Sequence, residues 1–418
     1  VDYMQYFYDF FEILEKADAA EVVAKVARPE LKAALEEEAE NKRIDAEATE
    51  LHLTKILFNS EIKFQPENES EKIFNFEKRI SRGSFGLVFS YSNKADKTKL
   101  AVKIERTIDE NGTGEKEIAD KLLENQCGTL KVRFIESSFP INIFVMDKLD
   151  GDLDSLFNGV PNGNNPVIRP LYRKLEMDPK EKIGIANQIL DQMLCLLTID
   201  GDQKYLYVDI KTQNILYKCQ NDSDSEAGIS VHLGDLGSAC PLDFPSNYGA
   251  IKDTEDYVGK DKFKRYIATF PPPEFCNGGG TVSYDTDNGF HKNREEFWKS
   301  YVAWNMGILL FQLINSELSN TISGSNEIVG IINGAMQWIV FSNNVKDTKD
   351  PTKAFKKTLG FYKPILWLIR RILYSHYKND KLSNLISFNP TQRIEALLDV
   401  ESPLKGANLF HKYGFLSN

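Results

Sequence analysis

The stretch Tyr207-Val-Asp209-Ile-Lys211-Thr-Gln-Asn214, with Gly234-Asp235-Leu-Gly237 following one hairpin's length later, constrains this chain more than any other. An acid, a base two residues on, an amide three beyond it and then a second acid before glycine set carboxylates, an ammonium and an amide around a metal-bound phosphate. Those are the parts required for phosphoryl transfer.

The rest of the chain sets outer limits on that reading. At 418 residues it exceeds one ordinary domain, and its 42% hydrophobic content can bury a substantial core, so two lobes and an extension are expected. A net charge of −10 and the lack of a basic stripe exclude general binding to nucleic-acid backbones. The five cysteines (Cys127, Cys195, Cys219, Cys240, Cys276) are scattered and have no CxxC spacing, which predicts free thiols in a reducing compartment rather than a zinc site or a disulfide framework. The apolar run Tyr301 to Ile314 is too short to span a bilayer and reads as a buried helix, so no transmembrane segment is expected. A start at Val1 fits a fragment or a processed form, and the compartment is left open between the cytoplasm and a secreted effector.

Residues 1–58 read as a helical extension. Tyr3, Phe7, Phe10, Phe11 and Leu14 recur at helical steps, Pro29 suits the first turn of a second helix, and Leu31, Leu35, Ala46, Leu51, Leu53 and Ile56 continue the stripe. Such an aromatic stripe acts as a packing brace or as an arm that binds a regulatory partner. Residues 59–72 are polar and read as a linker. From residue 73 the period becomes that of strands: Phe76 to Ile80, Leu87 to Tyr91 and Leu100 to Ile104. Between the first two lies Ser81-Arg-Gly83-Ser84-Phe85-Gly86-Leu-Val88, a turn whose backbone can approach phosphates closely. Lys103 sits inside the apolar run of the third strand, so it needs an anion beside it. Glu115 is the chosen carboxylate, because Ile118 and Leu122 share its helix face, and Glu117 is the fallback.

These motifs, in this order, resemble a eukaryotic-type protein kinase domain over about Ile73 to Gly414. The resemblance implies an α+β, bilobal fold with a small β-rich N-lobe at 73–149, a larger helical C-lobe at 150–418 and the helical extension in front. It also implies roles. Gly83, Ser84, Phe85, Gly86 and Val88 would cover ATP, with Ala101 lining its site and Met146 as gatekeeper. Asp147 and Leu149 would meet the adenine through backbone, and Asp152 the ribose. Lys103, paired to Glu115, would hold the phosphates. Asp209 would orient the substrate hydroxyl, Lys211 would stabilise the transferring group, and Asn214 and Asp235 would hold Mg2+. Phe270-Pro-Pro-Pro-Glu274 resembles the end of the activation segment, and Arg393 its late structural partner.

Departures from the family pattern point to altered control. Tyr207-Val208 replaces the His-Arg before the catalytic aspartate, so no arginine there can answer a phosphate placed on Thr254, Tyr257, Tyr266 or Thr269. Val302 stands where an aspartate braces the catalytic loop, so another brace is required. The form of the segment from Ala268 to Glu274, with the helical extension, has a narrower local likeness to the divergent rhoptry kinases of apicomplexan parasites. The expected function is an ATP- and Mg2+-dependent kinase acting on serine and threonine of protein substrates, with Lys211 matching the serine/threonine pattern. Its rivals are a pseudokinase scaffold and a small-molecule kinase. Substrate, pathway and oligomeric state are not legible.

Overall fold

The computed structural model describes residues 3–26, 29–57, 61–64, 70–82, 86–106, 118, 127, 132–138, 141–158, 178–198, 205–220, 228–241, 272, 294–321, 364 and 366–416. These form two compact units, residues 1–120 with 131–148 and residues 121–130 with 149–418. Residues 121–130 belong to the second unit.

The first unit opens with two long helices, α1 (Tyr3–Val26) and α2 (Pro29–Leu57). Proline starts α2 because the first helical position has no intrahelical use for an N–H. A six-stranded antiparallel sheet follows: β1 (Glu61–Phe64), β2 (Lys72–Arg82), β3 (Gly86–Ser92), β4 (Lys99–Arg106), β5 (Val132–Ser138) and β6 (Ile141–Asp147), in the order β1-β2-β3-β4-β6-β5. Residues 61–64 were expected to be linker. They form an edge strand because Ile62 and Phe64 alternate with polar residues and reach the sheet, with the Phe64 ring 6.4 Å from that of Phe74.

Alternation along the strands gives the sheet two unlike faces. Phe74, Leu87, Phe89, Tyr91, Leu100, Val102, Ile104 and Val145 form one apolar core with Phe7, Phe10, Phe11, Leu14, Ala46, Leu53 and Leu57 of the helices. The extension is thus part of this unit's core. Within α2 the buried apolar positions described are Ala39, Ala46, Leu53 and Leu57, whereas Leu31 and Leu51, placed on the stripe by their spacing, are 60% and 56% exposed. Ala46, Leu53 and Leu57 follow one another at seven- and four-residue steps and so share the inward face, which Leu31 and Leu51 do not. Buried Glu50 of α2 ties the helices to β2 through ion pairs with Arg79 and Arg82.

The second unit is mainly helical, with three short strand pairings. Its described elements are β7 (Gly151–Asp152), α3 (Leu153–Asn158), α4 (Pro179–Leu196), β8 (Tyr205–Tyr207), β9 (Ile215–Gln220), β10 (Gly228–Leu233), β11 (Ala239–Pro241) and α5 (Arg294–Thr321), then α6 (366–377), α7 (Asp380–Asn384), α8 (Pro390–Leu398) and α9 (Gly406–Lys412). Asp178 caps α4, its carboxylate accepting from Lys180 N at 2.8 Å, and Asn389 caps α8 by accepting from Thr391 N at 3.0 Å. Tyr301 to Ile314 lies within α5 and is almost wholly buried, as a helix apolar on all sides should be. No helix among the described residues is long and apolar enough to cross a membrane.

The expectation of free thiols throughout is corrected by a disulfide between Cys127 and Cys195, 68 residues apart and with Cα atoms separated by 5.8 Å. Such a pairing is long-range, so local cysteine spacing carries no trace of it. Cys219 is a free thiol, pushed up to about 11 by burial and by the Asp150 carboxylate, and it is therefore protonated and unreactive near neutrality.

His376 of α6 packs beside Lys182 of α4, a lysine with no exposed surface, at 3.4 Å. Burial first, then the charges of Lys182 and Lys378, lowers the His376 pKa to about 4. The unfolded imidazole takes up its proton near 6.5 and the folded one only near 4, so between these values the unfolded chain binds more protons. Stability should therefore fall as pH drops through that window. Melting temperatures at pH 7 and 4.5 should differ by less in His376→Gln than in the parent, and equal differences would refute this assignment.

Candidate active site

The site residues of the second unit meet on the two turns that follow β8 and β10. The Asp209 carboxylate, 8% exposed, accepts from Lys211 Nζ at 2.6 Å and from Asn214 Nδ2 at 3.0 Å, and Asn214 Nδ2 also donates to the Asp209 carbonyl at 3.0 Å. Acid, base and amide are thus one hydrogen-bonded cluster. Thr212 joins it to α3 by donating to Asp154 Oδ1 at 3.2 Å.

Asp235 is coupled to the same cluster through backbone, because Gly234 N donates to the Asn214 carbonyl at 2.8 Å. Its conformation is left-handed, with φ 49° and ψ 61°. A non-glycine residue held there costs on the order of 1 kcal/mol and persists only where its surroundings impose it, a pattern concentrated at functional sites.

The imposed backbone has a visible source in α4. Gln192 donates to the Val231 carbonyl at 2.7 Å and accepts from Leu233 N at 2.8 Å, while Gln188 donates to the Ile229 carbonyl and accepts from Val231 N. One helix turn apart, the two amides act as a surrogate neighbouring strand for β10 and fix the run into Asp235. Sequence spacing places Gln188 and Gln192 on one helix face, but nothing in it shows that a strand edge lies opposite.

The brace required in place of Val302 is supplied by its helix neighbours. Tyr301 Oη donates to the Val208 carbonyl at 3.1 Å, and Asn305 Nδ2 to the Tyr207 carbonyl at 3.3 Å. Val302 itself is fully buried. Tyr207, standing where histidine is usual, donates its hydroxyl to the Gly234 carbonyl at 2.7 Å and so links the two turns. Buried carbonyls need donors, and here tyrosines provide two of them.

Arg393 is completely buried, donating to the Ser387 carbonyl and Ser300 Oγ, with its guanidinium 5.5 Å from the Trp304 ring. Its expected partner Glu274 lies outside the described residues, as do the four hydroxyl residues of the activation segment.

In the first unit, Lys103 projects from β4 on the sheet face opposite the one covered by α1 and α2. Its cross-strand neighbours are Val88 and Phe144, with the ammonium 6.0 Å from the Phe144 ring centre. Ala101 lies opposite Met146 on that same face, and Asp147 ends β6 opposite Leu100. Lys103 Nζ forms an ion pair with Glu105 Oε2 at 2.9 Å. Glu115 and Glu117 lie outside the described residues, as do Gly83, Ser84 and Phe85. Gly86 is described, and a Cβ added there would meet the Ile104 carbonyl oxygen at 2.7 Å. Leu149 follows β6 in the second unit. Asp152 uses its carboxylate to cap α3, accepting from Ser155 N at 2.7 Å.

The donor set suits magnesium. Asn214 commits its amide nitrogen to Asp209, which leaves an oxygen for a cation, and Asp235 brings a carboxylate, so both ligands are hard oxygens. No cluster of three or more His, Cys, Asp or Glu able to hold a metal occurs among the described residues.

No family model and no curated protein matches the chain. Among solved structures it is similar to a Plasmodium kinase domain (16% identity, covering 87% of this chain and all of that one, TM-score 0.42). It is also similar to the Cydia pomonella granulovirus kinase PK-1 (14% identity, covering 78% of this chain and 93% of that one, TM-score 0.44). With a six-stranded antiparallel sheet in one unit and a mainly helical second unit that carries both turns, the chain has an α+β fold of two units.

Proposed function

We propose that the chain is a divergent kinase that transfers the γ-phosphoryl group of ATP to serine and threonine hydroxyls of protein substrates. The observation that carries this is the bonded cluster of Asp209, Lys211 and Asn214, tied by backbone to a left-handed Asp235. Asp209 accepts and orients the substrate hydroxyl proton, and Lys211 neutralises charge on the moving group. Asn214 and Asp235 hold Mg2+, which neutralises phosphate charge when bound. To the nucleotide we assign Lys103 at the phosphates, with Gly83, Ser84, Phe85, Gly86, Val88, Ala101, Met146, Asp147 and Leu149 as the other candidates that the motif pattern supplies. Control does not run through activation-segment phosphorylation, since Val208 removes the arginine that would receive such a phosphate.

Purified chain incubated with labelled ATP and Mg2+ should transfer phosphate to serine and threonine of itself or of generic substrates, with sites mapped by mass spectrometry. Absence of transfer would overturn the reading. A scaffold that holds nucleotide or a partner without efficient transfer is the second reading, favoured by exposed Val23, Leu31, Ile44 and Leu51 on α1 and α2. A rise in melting temperature with Mg2+-ATP but without turnover would select it.

A further inference from the structure

We propose that Glu105, two residues beyond Lys103 on the same strand, is a positioning residue for Lys103, and that it holds the ammonium at the place where nucleotide phosphates are bound. The inference rests on the nucleotide-binding reading and assigns Lys103 a partner that the motif pattern does not contain. Residues two apart on a strand share a face, so β4 alone brings the two side chains together. The pair closes at 2.9 Å, with the lysine side chain 13% exposed and the glutamate 5%. At such burial an ammonium without its carboxylate is strongly disfavoured. The two side chains therefore hold each other in a single arrangement.

Gly86 explains how a carboxylate fits there. It lies directly across from Glu105 in the β3–β4 register, and a Cβ at 86 would stand 3.1 Å from the Glu105 Cβ and 2.7 Å from the Ile104 carbonyl oxygen. The missing side chain thus leaves the room that the Glu105 stem occupies. On the other side, Asn142 of β6 is the cross-strand neighbour, also buried. Both flanks of Glu105 are fixed by backbone pairing within one sheet.

The test compares the parent, Glu105→Gln, Glu105→Asp and Lys103→Met as whole chains. Mg2+-ATP affinity is read by calorimetry, initial rates give KM and kcat, and melting temperature monitors folding. Glu105→Gln should weaken ATP binding about tenfold, raising KM by more than it lowers kcat, and Glu105→Asp should recover at least a third of the loss. The proposal is overturned if Glu105→Gln binds within twofold of the parent, or if Asp rescues nothing. An independent readout needs no nucleotide: competitive acetylation of Lys103 by acetic anhydride should be severalfold faster in Glu105→Gln, and an unchanged rate would refute the pairing itself. Should Lys103→Met bind ATP as the parent does, the nucleotide reading fails, while the acetylation result still reports on the pair.

Discussion

Asp209→Asn is expected to lower kcat for phosphate transfer about a thousandfold, equivalent to about 4 kcal/mol of transition-state stabilisation. Asparagine keeps the size of the side chain and one acceptor oxygen, so the contacts with Lys211 and Asn214 can persist in part and the turn should remain folded. What disappears is the carboxylate that takes the hydroxyl proton. Initial rates with labelled ATP, alongside melting temperatures, check this. A variant that retains a tenth of the parental rate would remove Asp209 from the chemistry, whereas loss of rate with a collapse in melting temperature would mean that the cluster is chiefly architectural.

The second large effect concerns the disulfide. Cys127–Cys195 closes a loop of 68 residues, and the chain-entropy relation assigns such a closure about 4 kcal/mol. Guanidinium unfolding of the parent with and without reductant, beside Cys127→Ala/Cys195→Ala, should show that loss in both cases. Both sulfurs are buried, so reduction of the folded chain should be slow. If thiol titration of the native chain finds both cysteines reactive, the bond is absent in solution. Its persistence requires an oxidising compartment, the opposite of what the cysteine spacing suggested.

These two results also mark what sequence made legible. The turn from Asp209 to Asn214 and the aspartate at 235 could be read because their chemistry depends on residue type at short spacing, and local backbone sets that spacing. The supports of those turns could not. Tyr301, Asn305, Gln188 and Gln192 act across more than thirty residues on carbonyls and amides that any sequence possesses, so no residue pattern marks the receiving end. Val302 revealed that a brace was missing from its usual place, but the replacements, one residue before and three after it on the same helix, required coordinates. The Lys103–Glu105 pair obeys strand alternation, but a buried lysine's need for an anion fixes no sequence separation, so the residue pattern alone does not single out Glu105. In the fold, the sheet emerged from alternating runs, whereas β1 was lost in a polar stretch too short to show a period.

The packing of α1 and α2 on the sheet bears on where this protein can be cut. A version beginning at β2 would keep Lys103, Gly86 and the whole of the second unit, and by motif alone would count as complete. It would also expose Phe74, Leu87, Phe89, Leu100 and Val102 to water in one continuous patch, which invites aggregation. The smallest piece that carries the motifs is therefore smaller than the smallest piece that stays dispersed, and expression boundaries belong ahead of Phe7.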